Sequence, residues 1–208
     1  MKIGIINGSH RAAQSLKVAK FSSRILTENL GKRPSGETVE TTLIDLAGNP
    51  LPLWDQDLWT DNDPRWQKAW APLARELAAC DGFVVVSPEW GGMVPPGLKN
   101  LLLIAGAEFA HKPAAIVAVS AGTGGAYPVA ELRMSGYKNN HICFIPEHVI
   151  IRDVANVMND HEAAVQSPDA YMRQRLEYTL AVLLEYAGAL RQVRESGVLK
   201  LKEYPYGM

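Results

Sequence analysis

The residues best able to do chemistry in this sequence lie near its start, in Asn7-Gly8-Ser9-His10-Arg11-Ala12-Ala13-Gln14-Ser15. Ser9 and Ser15 carry hydroxyl donors and Arg11 a charged fork of N–H groups. They stand between an apolar run, Ile3-Gly4-Ile5-Ile6, and a helical pattern that begins at Gln14 and passes through Lys17. A strand that ends in a Gly/Ser turn and opens a helix collects unpaired backbone N–H groups at the positive end of the helix dipole. The chemistry this predicts is phosphate binding. The turn is neither a dinucleotide fingerprint, since no further glycines follow Gly8 at the required spacing, nor a Walker loop, since Gly-Lys-Ser/Thr is missing. Taken alone it reads equally well as a capped strand-to-helix connection with Arg11 in solvent.

Two more stretches have small or flat side chains where a ring could rest. Ser87-Pro88-Glu89-Trp90-Gly91-Gly92 leads through Pro95-Pro96 to Gly97-Leu98-Lys99-Asn100. Its glycines let a planar ligand such as a flavin approach main-chain N–H groups, and Trp90 offers an apolar wall. The plain alternative is a proline-rich connection with a core tryptophan. Ser120-Ala121-Gly122-Thr123-Gly124-Gly125 could line the other edge of a ring, or be an ordinary turn after a strand.

The elements that must position these loops follow from periodicity. Strands are expected at Lys2–Asn7, Thr38–Leu46, Gly82–Ser87, Ala114–Ser120 and His141–Ile145. Phe83-Val84-Val85-Val86 and the run after Ala114 are continuously apolar, as in strands covered on both faces. Helices are expected from Gln14 to Leu30 (closing at Gly31), from Asp63-Pro64 to about Cys80, over Gly97–Ala107, from Tyr127 to Lys138, and over Ser167–Arg194. The long loop Ala47–Asp63 carries Trp54 and Trp59, which suit a pocket cover or a subunit contact, whereas Trp66 and Trp70 on the following helix suit the core.

Five strands separated by helices predict an α/β, three-layer sandwich with a parallel sheet. Strand number and length favour the flavodoxin-like order 2-1-3-4-5 over the dinucleotide-binding order, and the whole chain, 1–208, is expected to form one such domain. In that order strands 1, 3 and 4 are neighbours. The three small-residue loops follow those same strands, and ligands in such sheets sit beyond the strands' carboxyl ends.

A formal net charge of −1 gives no electrostatic case for nucleic acid or an anionic membrane. No signal peptide or long apolar segment is evident. Cys80 and Cys143 fit no metal or redox spacing and are expected to be buried thiols of a cytoplasmic protein, and His111, His141, His148 and His161 fit no ligand spacing.

With these pieces in hand, the chain resembles the NAD(P)H-dependent FMN reductases of the flavodoxin-like superfamily. The resemblance rests on Gly8-Ser9-His10-Arg11 with Ser15, on Ser87-Pro88-Glu89-Trp90-Gly91-Gly92 through Asn100, on Ser120–Gly125, and on Ile44-Asp45-Leu46 to Trp54. It implies that Ser9, Arg11 and Ser15, with Gln14 and Lys17 nearby, hold the FMN phosphate. It also implies that Pro88, Glu89, Trp90, Gly91 and Gly92 border the flavin ring and that Ser120, Gly122, Gly124 and Gly125 complete the pocket. His10, Trp90 and Gly91 depart from the family's usual Leu, Tyr and Asn. The implied reaction passes a hydride from NADPH or NADH to FMN and electrons on to a quinone, free flavin or similar small acceptor. No side chain need act as acid or base, no metal is required, and the family implies a homodimer or homotetramer. The rival is a flavodoxin-like carrier that binds FMN without oxidising NAD(P)H itself. The near-neutral charge speaks against it, because docking onto redox partners favours a strongly charged face.

Overall fold

The computed structural model describes residues 1–60, 63–160 and 163–207, the Trp59 side chain excepted. Five parallel strands form the sheet: β1 (Lys2–Asn7), β2 (Glu40–Asp45), β3 (Gly82–Pro88), β4 (Pro113–Val119) and β5 (Cys143–Ile151). Their order is β2-β1-β3-β4-β5. Every residue of β3 and β4 is buried, as the continuous apolar runs require of strands covered on both faces. The β2 strand lies at an edge and is largely exposed or half-buried, which fits its polar Glu40, Thr41, Thr42 and Asp45.

The helices are α1 (Gln14–Arg24), α2 (Pro64–Ala78), α3 (Pro96–Ile104), α4 (Ala126–Ser135) and α5 (Pro168–Glu195). Two of the expected N-termini are built as their sequences suggest. Asp63 accepts from the Arg65 N–H ahead of α2, and Ser167 accepts from the Ala170 N–H ahead of α5. One face of the sheet packs on α1 and α5 through Val18, Ala19, Leu176, Leu180 and Leu183. The other packs on α2, α3 and α4 through Trp66, Leu77, Leu98, Leu101 and Leu132.

Some boundaries differ from the sequence expectation. The first helix leaves α geometry at Ile25 and ends in a π turn, Ile25–Asn29, with the Leu30 N–H reaching the Ile25 carbonyl at 3.0 Å. Gly31 follows because a Cβ there would lie 2.1 Å from the Thr27 carbonyl oxygen. The fifth strand runs to Ile151, well past the expected Ile145. Pro146 stops the alternation there: Ala114 pairs with Phe144 but Ile116 with His148, so β5 bulges between them. The Arg133 guanidinium satisfies the displaced carbonyls of Ile145 and Pro146 at 2.6 and 2.8 Å.

At the amino ends of the strands, charges close the structure. Asp81 accepts from the Lys2 N–H at 2.9 Å and pairs with Arg191 and Arg194 of α5. Burial alone would raise the Asp81 pKa, but those hydrogen bonds and positive neighbours hold it below the usual carboxylate value. The tail folds back on the same chain, with Gly207 N–H on the Lys138 carbonyl and the His141 ring against that of Pro205. No described helix is long and apolar enough to cross a membrane.

Candidate functional site

The sheet order brings the loops after β1, β3 and β4 to one end of the molecule. In the first, Gly8 donates to the Val86 carbonyl at 2.8 Å, fixing the turn to β3. Only glycine fits there, since a Cβ would stand 2.8 Å from that oxygen and 2.7 Å from Leu98. Ser9 is buried, and its hydroxyl oxygen accepts from the Arg11 N–H at 3.1 Å. Helix α1 then starts with no side-chain cap and no acidic residue in its first turn. Among the described residues, the N–H groups of His10, Ala12, Gln14 and Ser15 have no protein acceptor. A helix start left open in this way, beside a buried serine pair and an arginine, is the donor set a phosphate requires.

Arg11 completes that set. Its guanidinium lies over the Trp90 ring, 5.2 Å from the centroid, and has no ion pair with a described residue. Ser15 is buried at the first turn of α1, and Gln14 beside it is exposed. The structure corrects the expectation for Lys17. Its ammonium donates to the carbonyls of Val154 and Val157 and to Asn159 Oδ1, at 2.6, 2.8 and 2.8 Å. All its donors serve the segment after β5, so it braces that segment and does not turn to the phosphate turn. Burial lowers its pKa from the ordinary lysine value, against the pull of Asp169 and Asp160.

The second loop turns sharply. Trp90 and Met93 exchange hydrogen bonds at 3.0 and 3.1 Å across Gly91 (φ 57°) and Gly92 (φ 77°). Consecutive positive φ angles define a type I′ turn, for which Asn-Gly and Gly-Gly are the favoured pairs. The glycine at 91 suits this turn as an asparagine would, since both adopt positive φ. Glu89 contributes through the main chain of the third loop. Its carboxylate accepts from the Gly125 N–H at 2.6 Å, and its own N–H donates to the Val119 carbonyl at 3.0 Å. Gly124 must be small because a Cβ would lie 2.7 Å from Glu89 Oε1, and Gly125 because one would lie 2.5 Å from Ile150. At Gly122 a Cβ would meet nothing, so that backbone faces open space.

Ser120 shapes the third loop. Its hydroxyl accepts from the Gly122 N–H at 3.2 Å, its carbonyl from the Val154 N–H at 3.2 Å, and Arg152 Nε reaches the Gly124 carbonyl at 3.0 Å. The segment that Lys17 braces is thus the one that holds the third loop. Pro88 is buried at the end of β3, directly beside Val119 of β4.

Several residues of this region carry no signal of their own in the sequence. Asn100 of α3 is buried and holds the loop before α2, accepting from the Trp54 N–H and donating to the Pro52 carbonyl, each at 2.7 Å. Tyr127, largely exposed in the first turn of α4, stands beside the 91–92 turn. Glu131 pairs with Lys99 and accepts from the Val94 N–H at 2.7 Å, fixing the exit of that turn. Burial would raise its pKa, but Lys99 and that N–H hold it below the ordinary carboxylate value. Only the Asn100 position falls within a motif read from the sequence. Of the tryptophans, Trp66 is buried, Trp70 packs partly against the same cluster, and Trp54 is exposed on the loop that Asn100 holds. His161 and the Trp59 side chain lie outside what the structure describes. Among the described residues no group of three or more His, Cys, Asp or Glu is placed to hold a metal.

Comparison with known proteins agrees with this geometry. The sequence profile of the family described as NADPH-dependent FMN reductase matches residues 1–156. An NADPH azoreductase from Bacillus sp. (strain OY1-2) is 29% identical over 153 residues, spanning 73% of this chain and 76% of its own. A quinone reductase from Pseudomonas putida is 23% identical over 201 residues, spanning 89% of this chain and 88% of its own. Among solved structures, an oxidoreductase from Corynebacterium diphtheriae superposes with a TM-score of 0.62 at 14% identity, over 90% of this chain and 97% of its own. FerB, the NAD(P)H:(acceptor) oxidoreductase of Paracoccus denitrificans, superposes at 0.57 and 18% identity, over 92% and 97%. At such identities the structural matches speak for the fold.

Proposed function

This chain belongs to the NADPH-dependent FMN reductase family, an FMN-dependent NAD(P)H oxidoreductase, and from that premise we propose that its loops at 7–15, 88–92 and 120–125 form one flavin cradle. Ser9, Arg11, Ser15 and the open N–H groups of α1 take the phosphate, with Gln14 at its solvent side and Lys17 bracing from behind. Pro88, Glu89, Trp90, Gly91 and Gly92 border one edge of the ring, and Ser120, Gly122, Gly124 and Gly125 the other. The observation that carries this reading is Arg11 on Trp90 at 5.2 Å, an arginine with no described carboxylate held between an uncapped helix start and the ring loop.

FMN, when bound, supplies the hydride acceptance and onward electron transfer. The chain's own work is to orient the ring, keep water from its buried edge, and direct main-chain donors at it, which favours the reduced, anionic state. No side chain is assigned a proton-transfer role. The relatives' names, NADPH azoreductase and quinone reductase, support a small aromatic acceptor such as a quinone, an azo compound or a free flavin.

The same reading extends to assembly and place. Leu103 lines a cleft of about 350 Å³ between α3 and α4, and Met93, Tyr127, Met134 and Tyr137, on or flanking the same two helices, are exposed apolar side chains. A second copy of the chain covers this face, next to the ring loops, as a homodimer or as half of a homotetramer. The whole chain acts as one unit, and its free thiols, Cys80 and Cys143, suit a reducing cytoplasm.

The test is a visible spectrum of the purified protein, followed by NADPH and NADH oxidation with a quinone or an azo dye and with or without added FMN. A flavin spectrum and acceptor-dependent oxidation are expected. A colourless protein that neither takes up FMN nor oxidises either nucleotide overturns the proposal.

A further inference from the structure

His10 ties the phosphate turn to the ring loop and to the start of α3. Its Nε2 accepts from the Gly97 N–H at 2.6 Å, at the first turn of α3. An N–H can only donate, so in this contact Nε2 bears the lone pair and the ring proton lies on Nδ1. The ring meets Trp90 edge to face, with centroids 5.3 Å apart and planes at 82°, while Arg11 lies over that same Trp90. The His10 carbonyl accepts from the Gly48 N–H at 3.1 Å. The fit at α3 is close, since a Cβ on Gly97 would stand 2.2 Å from His10 Nε2.

A solvated histidine side chain would make neither the Gly97 nor the Trp90 contact, and a leucine at this place could not accept from Gly97. We infer that His10 is a positioning residue for the flavin. By accepting from Gly97 it locks the phosphate turn to α3, and by packing on Trp90 it sets the ring wall and Arg11 relative to each other. Its imidazole is placed on neither the reacting atoms nor the phosphate and acts through Trp90 and Arg11. The inference rests on the flavin cradle proposed above.

The test is a titration of FMN into the full chain, stripped of flavin, for the wild type, His10→Leu and His10→Gln, with thermal unfolding of each protein alongside. Gln carries an acceptor at the reach of Nε2, whereas Leu fills the space without one. His10→Leu should weaken FMN binding by about tenfold, the equivalent of one lost hydrogen bond and its consequences, and His10→Gln should return most of that loss. Equal affinity in wild type and His10→Leu, or a His10→Gln as weak as His10→Leu, overturns the role of His10 and leaves the cradle standing. A wild type that binds no FMN overturns both. If His10→Leu does not fold, the Gln variant still decides, together with Gly97 amide exchange in the flavin-free wild type. That exchange should be slow where His10 holds the N–H, and rapid exchange overturns the inference.

Discussion

Arg11 and Lys17 are alike in sequence and part ways in structure. Both are cations near the start of α1, yet one lies over Trp90 with no described ion pair and the other is consumed by Val154, Val157 and Asn159. The charge of each was legible in the sequence. The partners of Lys17 were not, because they lie 137 to 142 residues further along the chain, beyond the reach of any local pattern. Arg11→Ala should weaken FMN binding by about tenfold or more with little change in the melting temperature of the flavin-free protein. Titration of FMN into that variant checks it. Lys112 offers a test away from the site. It is buried, donates to the Leu77 and Ala78 carbonyls at the end of α2, and burial lowers its pKa to about 8. Below pH 8 folded and unfolded chains both hold the proton. Between about 8 and 10.5 the unfolded chain holds more of it, so this group adds stability as pH rises, on the order of 2 to 3 kcal/mol. Denaturant unfolding from pH 7.5 to 10 should show that rise in the wild type, by about that order, and lack it in Lys112→Met.

At the scale of elements, strands and helices followed from apolar periodicity, and the errors have local causes. Pro146 hides the continuation of β5, because a bulge interrupts alternation without ending the strand. The Gly91-Gly92 pair reads as part of a loop open to a planar ligand, and its type I′ geometry appears only once Trp90 and Met93 are seen to pair. The least legible element was the loop Ala47–Asp63. Its composition suggests a surface role, and the structure shows it tied to α3 by one buried side chain, Asn100. Asn100→Ala leaves the Trp54 N–H and the Pro52 carbonyl without their partner, so it should lower stability by about 2 to 4 kcal/mol. It should also make the loop more open to limited proteolysis near Trp54. Unfolding curves and cleavage mapping of the variant are the measurements.

At the scale of the whole molecule, the work is divided between the ends of the sheet. The carboxyl ends carry backbone donors, glycines and Arg11, while the amino ends carry the ion pairs of Asp81 with Arg191 and Arg194. That division follows from strand order, which the sequence allowed because the small-residue loops follow strands that the order makes neighbours. The apolar residues exposed on and near α3 and α4, where a second copy is proposed to sit, look in sequence like ordinary helix positions. If copies of the chain meet at that face as proposed, Met134→Glu, which adds a charge at an exposed apolar position of α4, should give a lower mass than the wild type by light scattering at micromolar concentration. An unchanged mass would argue that copies of the chain meet elsewhere.

The strand order also dictates when the sheet can be built. Ile3 of β1 pairs with Thr41 on one side and Gly82 on the other. As the chain leaves the ribosome, β1 can meet β2 early, but its second flank stays bare until β3 has emerged. Parallel pairing across such spans is slow to nucleate. For that interval Ile3, Ile5 and Ile6 form an exposed, sticky edge, and the rate at which β3 arrives sets how long the newborn protein is at risk of pairing with the wrong neighbour.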